Sequence, residues 1–405
     1  MSSSLHQHTH GIIGYEHKSF EYKGKELIIH ISRKKKTFKC SSCGSLNVRP
    51  TPVNQRLIKS LPCGTKKTSF CVKMHRIYCR DCGSYLMEKL PFISNPKSRI
   101  TKVLERQIID LRAHMCIQSL ANYFGINWHT VKSVEKTHLR KKYKKVSLTN
   151  ITAIGIDEVY MGKKLGDKGY LTIVRDLSTG ATLFVGKGKS SKSLKPFLKK
   201  LKLSKSIIEF IAVDLAPSFT SWIKGNLPDA TIVYDHFHVI KLMNDRLNKV
   251  RRRITRELDH EDKGDIKGLR WKFNRNNEDL EPTAQSEINE CCSIFTELGT
   301  TYALKEALRR IYKIKDLAFV ENALTYWCEK AQCSKVPELI SMAKTIRKHY
   351  NGILAFWKTK ITSAVMEGFN NKIGWLTRQA YGYRDEEYLI LKIFDLPNLK
   401  TERQL

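Results

Sequence analysis

Cys40-Ser-Ser-Cys43-Gly and Cys79-Arg-Asp-Cys82-Gly repeat one chemical unit: two thiols on a tight turn, with glycine after the second sulfur. Glycine suits that place because it turns at little steric cost. Two such units supply the four sulfurs of a tetrahedral structural Zn²⁺ site, so Cys40, Cys43, Cys79 and Cys82 are expected to bind zinc. A redox Cys-x-x-Cys is the rival, and the doubling argues against it. The spacer exceeds the usual gap and reads as strand, so an extended hairpin should fill it. Cys63 and Cys71, inside that spacer, read as core thiols. Cys116, Cys291, Cys292, Cys328 and Cys333 suggest no second framework.

Carboxylates supply the other chemistry. Ala153-Ile154-Gly155-Ile156-Asp157-Glu158 is an apolar strand running into acids, and the strand Ile207 to Val213 ends in Asp214. Between them, Tyr170 to Asp176 and Ala181 to Val185 read as strands turning at Gly180, followed by a basic helix from Ser191 to Leu203. A fifth strand, Thr231 to Tyr234, ends in Asp235. Three antiparallel strands, a helix, a parallel strand, a helix and a parallel strand is the order of an RNase H-like α/β fold. That order sets Asp157 in mid-sheet beside Asp214. Mg²⁺ takes oxygen ligands, typically a few carboxylates plus substrate phosphate. Two ions about 4 Å apart can clamp the attacking and leaving oxygens of an in-line phosphoryl displacement. A third acid must come from elsewhere. Thr362 to Ile373 offers a helix presenting Glu367, with Asn370, Asn371 and Lys372 close by, although Glu367 alone reads as a surface residue.

These groups sit in a chain of 405 residues, long enough for two to four modules. Its 72 Lys+Arg exceed its 39 Asp+Glu by 33 charges. A surplus of that size repels itself, and a polyanion relieves it; nucleic acid is the expected partner, a merely basic or ribosome-associated protein the bland alternative. Basic segments recur at Lys34-Lys35-Lys36, Arg140 to Lys145, Lys187 to Lys205 and Arg251-Arg252-Arg253, as parts of one nucleic-acid path. The first residues lack the apolar core of a signal peptide, and no run approaches a membrane span. The expected location is cytoplasmic, nucleoid-associated when bound to DNA, with thiols reduced.

Gln118 to Lys132 has the pattern of a helix-turn-helix. Leu120, Ala121 and Phe124 pack a short helix, Gly125 permits the turn, Ile126 plugs the gap, and Asn127 caps the next helix. The exposed face would offer Trp128, His129, Lys132 and Lys136 to a major groove. Arg378 and Arg384, flanking Tyr381-Gly382-Tyr383, suit phosphates and stacked bases. Trp271 could stack on an unpaired base, with a core tryptophan the commoner expectation.

The chain resembles the ISL-three family of insertion-sequence transposases nearly end to end. The resemblance rests on both knuckles, the helix-turn-helix, Gly155-Ile156-Asp157-Glu158, Val213 to Phe219, Asp235 to Lys241, and Glu367-Gly368-Phe369-Asn370 with Gly382-Tyr383-Arg384. The second block reads Asp-Leu-Ala-Pro-Ser-Phe where Asp-Met-Ser-Pro-Ala-Tyr is expected, and it keeps the acid. The resemblance implies metal-dependent DNA cleavage and strand transfer, with Asp157, Asp214 and Glu367 as catalytic ligands. Asp157 would bridge two Mg²⁺ (or Mn²⁺) ions, while Asp214 and Glu367 each complete one site. Asp235, His238 and Asn370 are accessory candidates; Glu158 and Asp176 read as supporting residues. The expected organisation is multidomain α+β: a zinc ribbon (1–95), a helix-turn-helix (96–148), the RNase H-like core (149–256), an all-helical insertion (257–360) and the C-terminal helix with the third acid (361–405). Expected partners are double-stranded DNA, as terminal inverted repeats and target, and further copies of the chain on that DNA, with no membrane. Rival readings are a non-catalytic DNA-binding regulator and a recombinase using Tyr350, near Arg347 and His349, as nucleophile.

Overall fold

The computed structural model describes residues 5–34, 38–162, 169–215, 217–258, 266, 268–361 and 364–398. Lys35 and Lys36 of the first basic run, Ala216, the loop at Asp262, and Thr362 and Ser363 lie outside them. Contacts divide the chain into two units, one of Met1–Lys144 together with Asn398–Leu405 and one spanning Lys145–Pro397.

The first unit holds a sheet ordered β1-β2-β4-β3, with β1 Tyr15–Lys23, β2 Glu26–Arg33, β3 Val48–Lys59 and β4 Lys67–Cys79; the short β5 Tyr85–Met87 also pairs with β4. β3 and β4 form the expected long antiparallel hairpin between the knuckles. The sequence pattern misses β3 because most of its side chains are exposed and it carries Pro50 and Pro52. Proline is tolerated here because β3 is an edge strand whose outer side needs no ladder donors. Leu27, Ile29, Ile31, Phe70, Val72 and Met74 fill the core beneath. Cys71 is buried as expected; Cys63 is not a core thiol but an exposed residue of the β3–β4 turn, paired through its backbone with Lys66.

Three helices follow: Lys102–Leu111, Ile117–Phe124 and Trp128–Lys142. Gly125 ends the second in the left-handed region (φ 62°), and Asn127 caps the third by accepting from the His129 amide at 2.8 Å. Leu120, Ala121, Phe124 and Val131 share one core with Leu104 and Ile108. The buried Arg112 faces the buried Glu135 at 3.6 Å, locking the first helix to the third.

The second unit is built on a sheet ordered β10-β9-β6-β7-β8: β6 Ala153–Tyr160, β7 Tyr170–Asp176 and β8 Thr182–Lys187 antiparallel, then β9 Phe210–Val213 and β10 Thr231–Tyr234 parallel. Alternation sends Ile154, Ile156, Ile211 and Val213 to one face, against Phe197 and Leu201 of helix Lys195–Ser204 and Phe219 and Ile223 of helix Pro217–Asn226. Val159, Leu171, Ile173 and Val185 fill the other face, against Met366, Phe369 and Ile373 of helix Ala364–Gln379 and Leu389 and Ile393 of helix Glu386–Asp395.

A 22-residue helix, His236–Glu257, leads from β10 into a helical array. Helices Thr296–Ile311 and Pro337–Lys348 pack on it, and Leu317–Cys333 packs on the latter. Helix Tyr350–Thr359 returns to β10, where a Cβ on Gly352 would meet the Tyr234 ring. These helices continue the core of the sheet rather than forming one of their own. Inside the array, the fully buried Lys305 pairs with Glu306 at 2.8 Å and donates to the Phe273 carbonyl at 2.9 Å, satisfying its charge.

Helix Ala364–Gln379 is seated by two devices. A Cβ on Gly155 would lie 2.8 Å from Met366 Sδ, so glycine lets the helix approach β6 closely. Arg175 of β7, nearly buried, donates to the Val365 carbonyl at 2.6 Å and stacks 3.9 Å from the Phe369 ring centroid. Burial holds its guanidinium down to about 10. Gly155→Val should therefore overpack this contact and cost about 1–3 kcal/mol. Urea unfolding checks this, and an unchanged midpoint would show that Gly155 is not what seats the helix.

Candidate active site and DNA interface

Register builds the acid site. β6 and β9 pair in parallel, Gly155 opposite Ala212 and Ile156 opposite Val213. One residue further, Asp157 and Asp214 fall side by side, on the face that alternation keeps free of the Ile156 and Val213 side chains. That face is covered by the helix whose Met366, Phe369 and Ile373 point inward. Glu367 and Asn370, one turn apart, stand at its margin. Asp157, Glu158, Asp214, Glu367, Asn370 and His238 all line one cavity of about 480 Å³, with Phe237, Ile240, Lys241 and Asn244 completing its wall.

Asp157 accepts from Asn370 Nδ2 at 2.5 Å and from the Glu158 amide at 2.7 Å. Burial raises its pKa, the Glu158 amide opposes that, and the Asp214 charge adds to it. Glu158 is raised by burial, then by Asp214 and Asp157. Asp214 Oδ1 lies 2.8 Å from His238 Nε2. Burial disfavours the His238 cation, but the bond to Asp214 and the charges of Asp214, Asp157 and Asp235 outweigh it, so its pKa is raised. Oδ1 of Asn370 and of Asn244 are buried without a hydrogen-bond partner. Hard oxygen donors, mutually repelling carboxylates and unsatisfied amide oxygens are what a divalent cation would relieve. Among the described residues, the carboxylates do not gather within 4.8 Å of one another as the four thiols do.

Asp235 plays a different part. Buried, it caps helix His236–Glu257 by accepting from the Phe237 amide at 2.9 Å, and so fixes where His238 points. Asp176 is likewise structural, accepting from the Ser178 and Thr179 amides in the β7–β8 turn. The Tyr350 hydroxyl donates to the Glu321 carbonyl at 3.2 Å, an anchor rather than a poised nucleophile. Trp271 is 69% exposed, against the expectation of a core residue.

In the first unit the four knuckle sulfurs lie within 4.8 Å of one another, Cys40 to Cys82 at 3.7 Å and Cys43 to Cys79 at 3.6 Å. A tetrahedron with Zn–S of 2.3 Å has edges of about 3.8 Å, so the cage fits the ion. Gly44 and Gly83 take φ of 79° and 68°, closing equivalent turns in which each amide donates to the carbonyl of the first cysteine. Hydrogen bonds from Ser84 and the knuckle amides hold the Cys40 thiol down to about 6.

The helix-turn-helix exposes Trp128 and His129, stacked at 3.7 Å. Lys132 and Lys136 are half-buried on the flank, and the most open face runs through His129, Ser133, Thr137 and Arg140. Arg378, in the last turn of the Glu367 helix, and Arg384, beyond it, are both exposed. Eleven residues of helix set Arg378 about 16 Å from Glu367, outside the acid cavity.

A family model described as transposase matches residues 154–393, and one for the helix-turn-helix domain of transposase family ISL3 matches residues 88–139. The chain belongs to the ISL3 family of transposases. It is 29% identical over 374 residues to the transposase for insertion sequence element IS1001 of Bordetella parapertussis, covering 91% of each chain. The transposase for insertion sequence element IS1557 of Mycobacterium tuberculosis is 26% identical over 290 residues, covering 65% of this chain and 64% of its own. Among solved structures, a chain of the Drosophila P element transposase strand transfer complex aligns with 12% identity and a TM-score of 0.40, over 73% of this chain and 91% of that one.

This transposase therefore carries a DDE-type domain, a helix-turn-helix for DNA, and a four-cysteine cluster suited to zinc. No described helix is long and apolar enough to cross a membrane. The sequence reading left Phe237, Lys241 and Asn244 unassigned. Their spacing on one helix from His238 was the available signal.

Two outcomes follow for the metal centres. The purified transposase should hold one zinc per chain, and Cys79→Ser should lose it and loosen the first unit; full zinc occupancy in that variant would exclude the cage. In EDTA, the raised carboxylates Asp157 and Glu158 destabilise the fold increasingly as pH rises through their folded values. The His238–Asp214 pair adds stability below the ordinary imidazole value, lost as pH climbs through its raised one. Thermal stability without metal should thus decline from acidic to alkaline pH. Mg²⁺ should restore it in the wild type but much less in Asp157→Asn. Equal metal-induced shifts in both proteins would remove Asp157 from the ligand set.

Proposed function

We propose that this transposase cleaves DNA at the ends of its insertion sequence and joins them to target DNA, using Asp157, Asp214 and Glu367 on an RNase H-like sheet. The observation that carries this reading is the β6–β9 register, which sets Asp157 beside Asp214 under the helix bearing Glu367. The zinc ribbon and helix-turn-helix recognise the terminal inverted repeats, Trp128 and His129 foremost, with Lys132 and Lys136 at the flank. Arg378 and Arg384 hold DNA outside the cavity. The domain limits proposed from the sequence stand as part of this reading.

Two Mg²⁺ or Mn²⁺ ions, when bound, would supply Lewis-acid stabilisation of the phosphorane charge and a lowered pKa for the attacking hydroxyl. Asp157, Asp214 and Glu367 would be the carboxylates that hold them. Asn370 holds Asp157 in one rotamer, and His238 does the same for Asp214. Lys241 puts a cation on the cavity wall, where phosphate charge accumulates. In cleavage, a water oxygen bonds to phosphorus as the bond to the 3′ oxygen breaks, and that oxygen leaves as a 3′-OH. In transfer, the 3′-OH attacks a target phosphate and expels the target's own 3′ oxygen. One phosphodiester bond forms for each broken, so joining needs no external energy source. Holding two ends together calls for at least a dimer on DNA.

Cleavage and strand transfer on DNA carrying the native ends provide the test. Asp157→Ala, Asp214→Ala and Glu367→Gln should each lose at least 10²-fold in rate with end binding intact, and EDTA should silence the wild type. Near wild-type transfer by any of them would sink the triad. Tight end binding without cutting in any metal would favour a regulator.

A further inference from the structure

A second groove, of about 450 Å³, opens on the other side of Asp214. Its walls are two helices: His238, Lys241, Asp245 and Arg246 on one, and Thr345, Lys348 and His349 at the end of the other. The first set is spaced i, i+3, i+7 and i+8 and the second i, i+3 and i+4, so each forms one continuous face. Asp214, His238 and Lys241 line both the groove and the acid cavity, making the two spaces contiguous.

The charges on these walls are not neutralised from within. Among the described residues, none of the wall cations Lys241, Arg246 and Lys348 has a carboxylate within ion-pair distance, nor has Lys224, whose charge reaches His349. The charge of Glu338 reaches Arg246, but its carboxylate is bonded to Arg253 at 3.1 Å. Arg246 Nε is buried with no hydrogen-bond partner. The His349 imidazole is held below its ordinary value by burial, and further by the charges of Lys348 and Lys224. Of the acids lining the groove, Asp214 already faces His238, leaving Asp245 against the basic set.

We infer that this groove is a binding track for the DNA backbone, in which Arg246 and Lys348 hold phosphates of the strand next to the reacting phosphodiester. A backbone of repeating anions matches a row of unpaired cations leading into a carboxylate-lined centre. The guanidinium supplies donors that the fold itself leaves unused. The track differs from the surface at Arg378 and Arg384, and it fixes the direction in which a strand enters. It rests on the proposed cleavage function and adds a strand path to it.

The test uses the full chain and end DNA in which single phosphates near the cleavage point are replaced by uncharged methylphosphonates. In the wild type, neutralising one or two phosphates a few nucleotides from that point should weaken binding about tenfold each. The Arg246→Ala/Lys348→Ala protein should bind unmodified DNA correspondingly more weakly and lose no more at those phosphates. Its salt dependence (log Kd against log salt) should flatten by about two units. Arg246→Gln/Lys348→Gln, which keeps the side-chain stems, should behave alike if the alanine protein folds poorly. Unchanged sensitivity at every phosphate in both variants would overturn the track. Binding interference is read without cutting, so a wild type that fails to cleave would count against the proposed function and leave the track testable.

Discussion

Parallel pairing of β6 with β9 is the constraint on which the site depends. With Ile156 opposite Val213, the next pair is Asp157 and Asp214. A slip of β6 by one residue would turn Asp157 into the apolar layer and bring Ile156 to the cavity beside Asp214. The slip is prevented by burial: Ile154, Ile156, Ile211 and Val213 all go to one hydrophobic face. At about 1.5–3 kcal/mol for each large apolar side chain, that face holds the register against the repulsion of the carboxylates. Charge is thus concentrated where it is costly, and the cost is met by packing elsewhere.

The third acid depends on a separate set of contacts. Its helix lies across the sheet because Gly155 leaves room for Met366, and because Arg175 reaches from β7 to the Val365 carbonyl and the Phe369 ring. More than 100 residues of helical array separate β10 from that helix, yet the array shares the sheet's core and returns to β10 through the Gly352–Tyr234 contact. Its long leading helix, capped by Asp235, also carries His238 and Lys241 to the cavity. The array is therefore part of the site's support.

Much of this was legible in the sequence, for identifiable reasons. Apolar strands ending in acids announce themselves because burial on both faces demands unbroken runs such as Ala153 to Ile156. The cysteine knuckles and the turn at Gly125 are local, and local geometry is written in adjacent residues. What escaped is what tertiary contact decides. A hairpin was expected between the knuckles, but β3 is exposed and proline-bearing, so no alternation marks where its strand runs. Lys132 and Lys136 looked open on a helical wheel, yet packing leaves them half-buried, and Trp271 is open where tryptophans are commonly packed. The groove beyond Asp214 joins residues about 100 positions apart, a juxtaposition that no spacing rule encodes.

The acids brought together by that register should hold divalent ions. Anomalous diffraction from Mn²⁺ in crystals of the full chain on its end DNA tests this directly. Two manganese peaks should appear in the cavity, the Asp157 carboxylate within about 2.0–2.3 Å of both and those of Asp214 and Glu367 each on one. Manganese held elsewhere, or a cavity occupied by DNA with Asp157 still bonded only to Asn370 and the Glu158 amide, would contradict it.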